Sequence, residues 1–271
     1  MLRILKADFY RLFHSFMFWV FFVIRATSVI TSIFERIYVS VRGVGFDGEA
    51  VTVQSSSPLM VETSIFSGVL ILFVGFTMVY FFGKERKHGF IKNVAGTVER
   101  REYMVFSKMV IGAFVTIIYV LFDWICSILS WVIEGNKFCA MTDITVNGSS
   151  SVSCGKLISS YGVAVLISFA FVVLFIMLME LIGITAPVYI FGFMLMTGLV
   201  DQIIAGIFNF IKSYLGLFTG FEISDYLLLF NLNGFGPETP NLLRFTVVAL
   251  IYIVVFGGIA VLISRKKDIT N

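Results

Sequence analysis

The sequence predicts an all-α polytopic membrane protein, and three observations carry that prediction. Of its 271 residues, 58% are hydrophobic and only 14% charged, with a mean hydropathy of +0.96, far from the composition of a water-soluble domain. The apolar residues gather in runs near the ~20 residues needed to cross a hydrocarbon core. The polar residues gather between them, above all in Gly83 to Lys108, GKERKHGFIKNVAGTVERREYMVFSK. Six transmembrane helices follow, at about 13–33, 61–82, 109–133, 157–181, 187–210 and 243–263, in one transmembrane domain covering 1–271.

Taken in order, residues 1–12 place Leu2, Leu5, Phe9 and Leu12 at helical spacing beside Arg3, Lys6 and Arg11, the pattern of a short helix lying in the membrane interface. The plainer alternative is the frayed start of the first span. The run from Phe13 to Ile33 is too long for a signal-peptide core, and no small-x-small cleavage pattern follows it, so it reads as a retained span. The segment 34–60, rich in Gly and Ser, reads as a short outer loop.

Orientation follows from the basic residues near span ends. With the N-terminus inside, the inner segments hold Arg3, Lys6 and Arg11, then Lys84, Arg86, Lys87, Lys92, Arg100, Arg101 and Lys108, then Arg265, Lys266 and Lys267. The outer segments hold fewer: Arg36, Arg42, Lys137, Lys156, Lys212 and Arg244. Both termini and the basic island are therefore expected in the cytoplasm.

The outer segment 134–156 contains Cys139 and Cys154. On the oxidising side of a membrane these form a disulfide or remain two thiols; spacing does not choose between them. Cys126, inside the third span, reads as a small core residue. Between the fourth and fifth spans, Gly183 and Pro187 suit a tight turn between helices. In 211–243, the apolar stretch Tyr226 to Leu232 is too short to cross, with Ser224 and Asp225 as caps before it. It reads as a re-entrant hairpin of short helices on the outer side, tolerated where protein satisfies its backbone.

Three ionisable side chains fall inside spans, each at a cost of about 3 kcal/mol near the bilayer centre. They are Arg25, Asp123 and Asp201. Counting ~1.5 Å per residue from the inner end puts all three at a similar depth, about 18–21 Å. One reading is a polar seat, with Arg25 neutralised by Asp123 or Asp201, on the path of a charged or amphipathic substrate. The other is an ion pair that only fixes helix register.

Several function classes are excluded or disfavoured. Net charge is only +3 and the cations are scattered along apolar flanks, so no nucleic-acid reading follows. No metal site is expected: three Cys and two His occur without CxxC or HExxH spacing. His14 and His88 read as solvated side chains. There is no GxxxxGK[ST] phosphate loop; CGKL at Cys154 to Leu157 lacks the earlier glycine, where Ser150 stands. The chain is thus not expected to be an enzyme by itself.

Within the island, Phe90, Ile91 and Val94 cluster on one face of a short amphipathic helix, Gly96 breaks it, and Thr97 with Glu99 starts the helix into the third span. A solvated basic loop that only enforces topology is the simpler reading. Glu85, Gly89 four residues on, then Ile91 to Asn93, Arg101, and Ser107 with Lys108 at the mouth of the next span resemble the cytoplasmic signature of type-2 ABC exporter (ABC-2 type) permeases. The interfacial first helix, the re-entrant segment before the last of six spans and the closing Arg265 to Ile269 agree in layout. The resemblance covers the whole chain in layout, but its informative motif is one loop.

The resemblance implies an ATP-driven exporter permease. Its coupling helix, with Glu85, Arg86, Gly89, Phe90, Ile91, Asn93 and Val94, would contact a separate ABC ATPase subunit. Two permease copies, alike or merely similar, would work with two ATPases. ATP and Mg would be held by the partner and no cofactor by this chain. Size and outer loops look most like bacterial plasma-membrane permeases that expel antimicrobial or cytolytic peptides, such as lantibiotic-immunity and phenol-soluble modulin exporters. A competing expectation is a non-transporting immunity or sensor protein that binds a peptide at the outer face; a membrane-embedded enzyme is a remote third.

Overall fold

Two helices open the chain, α1 (Leu2–Phe13) and α2 (Phe16–Arg42), and they meet at a 56° bend. The break is local. The Ser15 N–H donates to the Leu12 carbonyl at 3.0 Å, a tightened turn, and Trp19 Nε1–H takes the Phe13 carbonyl at 2.8 Å. The computed structural model describes residues 2–42, 68–87, 102–133, 144–146, 150–152, 154–215, 223–228 and 242–266. The remaining helices among these residues are α3 (Gly68–Lys87), α4 (Glu102–Ile133), α5 (Cys154–Ile182), α6 (Thr185–Met196), α7 (Leu199–Leu215) and α8 (Leu242–Lys266). A single 3-10 turn, Ile223–Tyr226, precedes α8, and its Tyr226 carbonyl accepts from the Tyr252 hydroxyl at 3.0 Å.

Side-chain contacts fix the helix directions. Asp8 meets Lys108 and Arg25 meets Asp123, so α1 and α2 run parallel to α4. Glu85 meets Lys108 and Thr77 meets Tyr119, so α3 runs antiparallel to it. Arg265 pairs with Glu102 at 2.7 Å while Gly257 lies against Met109, so α8 is antiparallel too. The N-terminal helix, the facing ends of α3 and α4, and the C-terminal end of α8 therefore share one end of the bundle.

α5 is the helix the others surround, packing on α8, α3, α4 and α6. Its Phe175 is buried between two glycines: a Cβ on Gly75 of α3 would lie 2.4 Å from the ring, and one on Gly192 of α6 would lie 2.6 Å from it. Small residues at helix contacts let backbones approach closely, which is how helices gain packing energy in a lipid solvent. The outward faces of α2, α4 and α8 carry Trp19, Ile125, Leu250 and Val254, as surfaces meeting lipid should.

Length and composition make Glu102–Cys126, Gly162–Ile182 and Leu242–Lys266 candidate spans. Two bent pairs, Ile4–Phe13 with Phe16–Thr31 and Thr185–Leu195 with Leu199–Tyr214, raise the range to five. Among the described residues the protein is thus a helical chain with three to five such spans. The expected straight span at 187–210 is corrected: it breaks at Thr197–Gly198 and turns by 66°. Gly198 takes φ of 72°, a left-handed conformation that ends α6, and periodicity alone does not register it. Gly183, at φ 79°, makes the tight turn between α5 and α6.

Other boundaries also shift. α2 runs to Arg42, beyond the expected end at 33; α3 continues to Lys87, beyond the expected end at 82; and α4 is already helical at Glu102, ahead of the expected start at 109. Helical backbone continues past the apolar run because charged side chains at helix ends reach water or an ionic partner, as Glu85 reaches Lys108. The all-α expectation also misses a small ribbon, Ile144–Val146 paired antiparallel with Ser150–Val152.

Candidate functional site

Two clusters of buried charge lie along α4. The first joins three helices at the end of the bundle where α3 ends and α4 begins. Asp8 on α1 sits over Ser107 and Lys108: its Oδ2 accepts from Ser107 Oγ at 2.6 Å and from Lys108 Nζ at 2.9 Å. Its Oδ1 pairs with Arg11, one turn on along α1. Glu85 in the last turn of α3 closes the ring, its Oε1 meeting Arg11 Nη2 at 2.8 Å and also Lys108.

This ring of two acids and two bases is neutral. Asp8, Glu85 and Lys108 are buried and Arg11 is half-buried. Phe81 lies beneath both cations, with Lys108 Nζ 4.6 Å and Arg11 Cζ 5.6 Å from its ring centroid, positions in which an aromatic face stabilises positive charge. Glu180 on α5 lies near enough to attract Lys108 as well. Removing one member of such a ring leaves an uncompensated buried charge, at about 3–5 kcal/mol.

The second cluster lies further along α4. Arg25 Nη2 donates to Asp123 Oδ2 at 2.8 Å, both side chains buried. Tyr119, one turn earlier, is 3.4 Å from Thr77 Oγ1 on α3; Thr77 gives its proton to the Phe73 carbonyl, so the tyrosine is the donor. Phe22 packs edge-on against Tyr119 and Phe122. The result is a polar strip from α2 through α4 to α3, walled by aromatic rings. It holds charge in a dry place and ties three helices in one register.

Compared with protein-family models and with curated proteins, the chain matches none.

Of the three intramembrane charges expected to form one seat, the structure brings two together. Asp201 stands apart from the Arg25 pair, in the first turn of α7, a helix packed on α6 and the 3-10 turn rather than on α2. A straight span would put it level with Arg25; the bend at Gly198 makes it instead an acid at a helix N-terminus, where the backbone N–H groups favour negative charge.

Glu85, expected on a partner contact, is instead buried in the ring, because α3 runs on through Lys87 and turns this carboxylate toward Lys108. Arg86 lies in the same last turn. Gly89, Phe90, Ile91, Asn93 and Val94 lie outside the described residues, as does Cys139; Cys154 opens α5. Neither the coupling helix nor the disulfide is therefore visible. Asp8 was missed altogether. Its signal was an acid among the basic neighbours of an otherwise amphipathic segment, three residues before Arg11. Among the described residues no group of three or more Cys, His, Asp or Glu could hold a metal ion.

Proposed function

We propose that this chain is the membrane-embedded permease subunit of an ATP-driven exporter in a bacterial plasma membrane, with six crossings and both termini in the cytoplasm. In this reading a separate ATPase docks on the end of α3 and the segment 88–101 after it, through Arg86, Gly89, Phe90, Ile91, Asn93 and Val94. The substrate class is amphipathic or antimicrobial peptides, taken from the inner leaflet or cytoplasm. Two permeases and two ATPases make the working unit.

One observation carries the reading: the ion pair between Glu85 and Lys108, which closes the helices on either side of segment 88–101 onto each other. A force on that segment reaches the ends of α3 and α4 together, since separating them would strand buried charge. Glu85 is here an anchor of the lever and the residues after it are its contact. The lever passes on only what differs between the partner's two states. The Arg25–Asp123 strip lies along α4, the helix so moved.

The test is gentle-detergent purification of the chain with identification of the proteins that accompany it, together with the double variant Gly89→Pro, Phe90→Asp. An ATPase should co-purify with the native chain and be lost with the variant. Peptide efflux should disappear while membrane insertion is kept. Unimpaired efflux in that variant overturns the proposal.

A further inference from the structure

The residues that pair between the first two helices and α4 climb in step. Asp8 lies on Lys108; Phe9 and Phe13 lie on Phe114, with ring centroids 4.8 and 6.0 Å apart. Phe22 then lies on Tyr119 and Phe122, and Arg25 on Asp123. α4 is unbroken over this whole length, while its neighbour bends by 56° at His14–Ser15. Lys108 and Asp123 are fifteen residues apart in that unbroken helix, so the two buried ion clasps stand about 22 Å apart along it, one on each side of the bend.

We propose that α4 is a splint for the α1–α2 joint. The lower clasp of Asp8, Arg11, Glu85 and Lys108 sets the joint's angle and makes α1 travel with α3 and α4. The upper clasp of Arg25 and Asp123 ties α2 to the same splint independently.

The joint itself is weakly held. Across it run the chain, the Ser15 N–H bond to the Leu12 carbonyl, the Trp19 bond to the Phe13 carbonyl and the edge contact of Phe13 with Phe18. α1 packs more extensively on α4 than on α2, with Leu12 fully buried and Asp8 enclosed. Swinging α1 away from α4 would strip Asp8 and Lys108 of each other in a dry setting. With α2 tied to the same helix by Arg25 and Asp123, a change of angle at His14–Ser15 is that same movement. The inference stands whether or not the chain works with an ATPase.

The test uses the full chain in lipid nanodiscs. Nitroxides attached through an unnatural keto amino acid at exposed positions leave the native cysteines in place. The pair Tyr10/Leu121 reports α1 against α4, and Ile30/Phe106 reports α2 against α4. In the native chain both distance distributions should be narrow; a broad Tyr10/Leu121 distribution there overturns the proposal.

The fourfold variant Asp8→Asn, Arg11→Gln, Glu85→Gln, Lys108→Gln removes the two acids and two bases of the lower clasp together. It should lose the narrow Tyr10/Leu121 distance and keep Ile30/Phe106. Retention of both distances overturns the splint. The reciprocal variant Arg25→Met, Asp123→Leu should broaden Ile30/Phe106 and leave Tyr10/Leu121 narrow. This second variant keeps the proposal testable if the first does not fold, because broadening of both pairs would show that the clasps do not act separately.

Discussion

A carboxylate with no water around it must be neutralised where it stands, and Asp8 and Asp123 are both fully enclosed. Each has its cation in contact, Lys108 and Arg25. Such pairs add little net stability over an apolar contact, yet cost dearly when half of one is removed. Asp123→Asn should therefore lower stability by about 3–5 kcal/mol, since it leaves Arg25 buried and unmatched. Arg25→Met with Asp123→Leu should recover most of that loss. Thermal unfolding of both variants in nanodiscs checks the pair. Equal losses for the single and double variants would mean that packing volume, not charge, governs the position. The individual charges at Arg25 and Asp123 were visible as ionisable residues in apolar runs. Asp8 was not, because an acid near the start of a chain beside Arg3, Lys6 and Arg11 looks like one more solvated charge.

At the scale of elements, helices meet where side chains are absent as much as where they are present. Phe175 of α5 occupies the room left by Gly75 on α3 and Gly192 on α6. An added methyl at Gly192 would meet the ring at 2.6 Å, and a ring wedged between two backbones has little freedom to withdraw. Gly192→Ala should cost about 1–3 kcal/mol through overpacking. Phe175→Leu combined with Gly192→Ala should restore part of it, as measured by the unfolding midpoint. If the single variant unfolds at the native temperature, α6 is free to shift on α5 and the wedge does not fix it. Apolar runs located α4, α5 and α8 well, since each run and its helix share most residues. They failed at helix ends, where polar residues with water or an ionic partner continue the helix, as Glu85 and Lys108 do. They failed also at Gly198, whose left-handed backbone divides what periodicity reads as one span.

For the whole molecule, the contacts of Asp8 with Lys108, of Glu85 with Lys108 and of Arg265 with Glu102 bring the N-terminal helix, the facing ends of α3 and α4, and the end of α8 to one end of the bundle. Cysteines placed at exposed Lys6, Lys84 and Lys266 should then react with a membrane-impermeant thiol reagent from one and the same side. A cysteine at exposed Tyr226 should react from the other. Labelling of Lys6 and Lys266 positions from opposite sides would contradict the shared end.

Membrane class, the number and rough position of apolar runs, and the presence of charge within them are properties of composition along a line, and the chain states them without folding. Which charges meet is another matter. Asp8 finds Lys108 and Arg25 finds Asp123 across about a hundred residues of sequence. That depends on the rotation of each helix about its axis and on where each one bends. Arg25 had two acids at similar reckoned depth. The bend at Gly198 took Asp201 to the head of α7, and the packing of α2 on α4 left Asp123 as the partner. Only the packed bundle could make that choice, because burial in a dry interior enforces neutrality pair by pair, between whichever side chains the helices bring within reach.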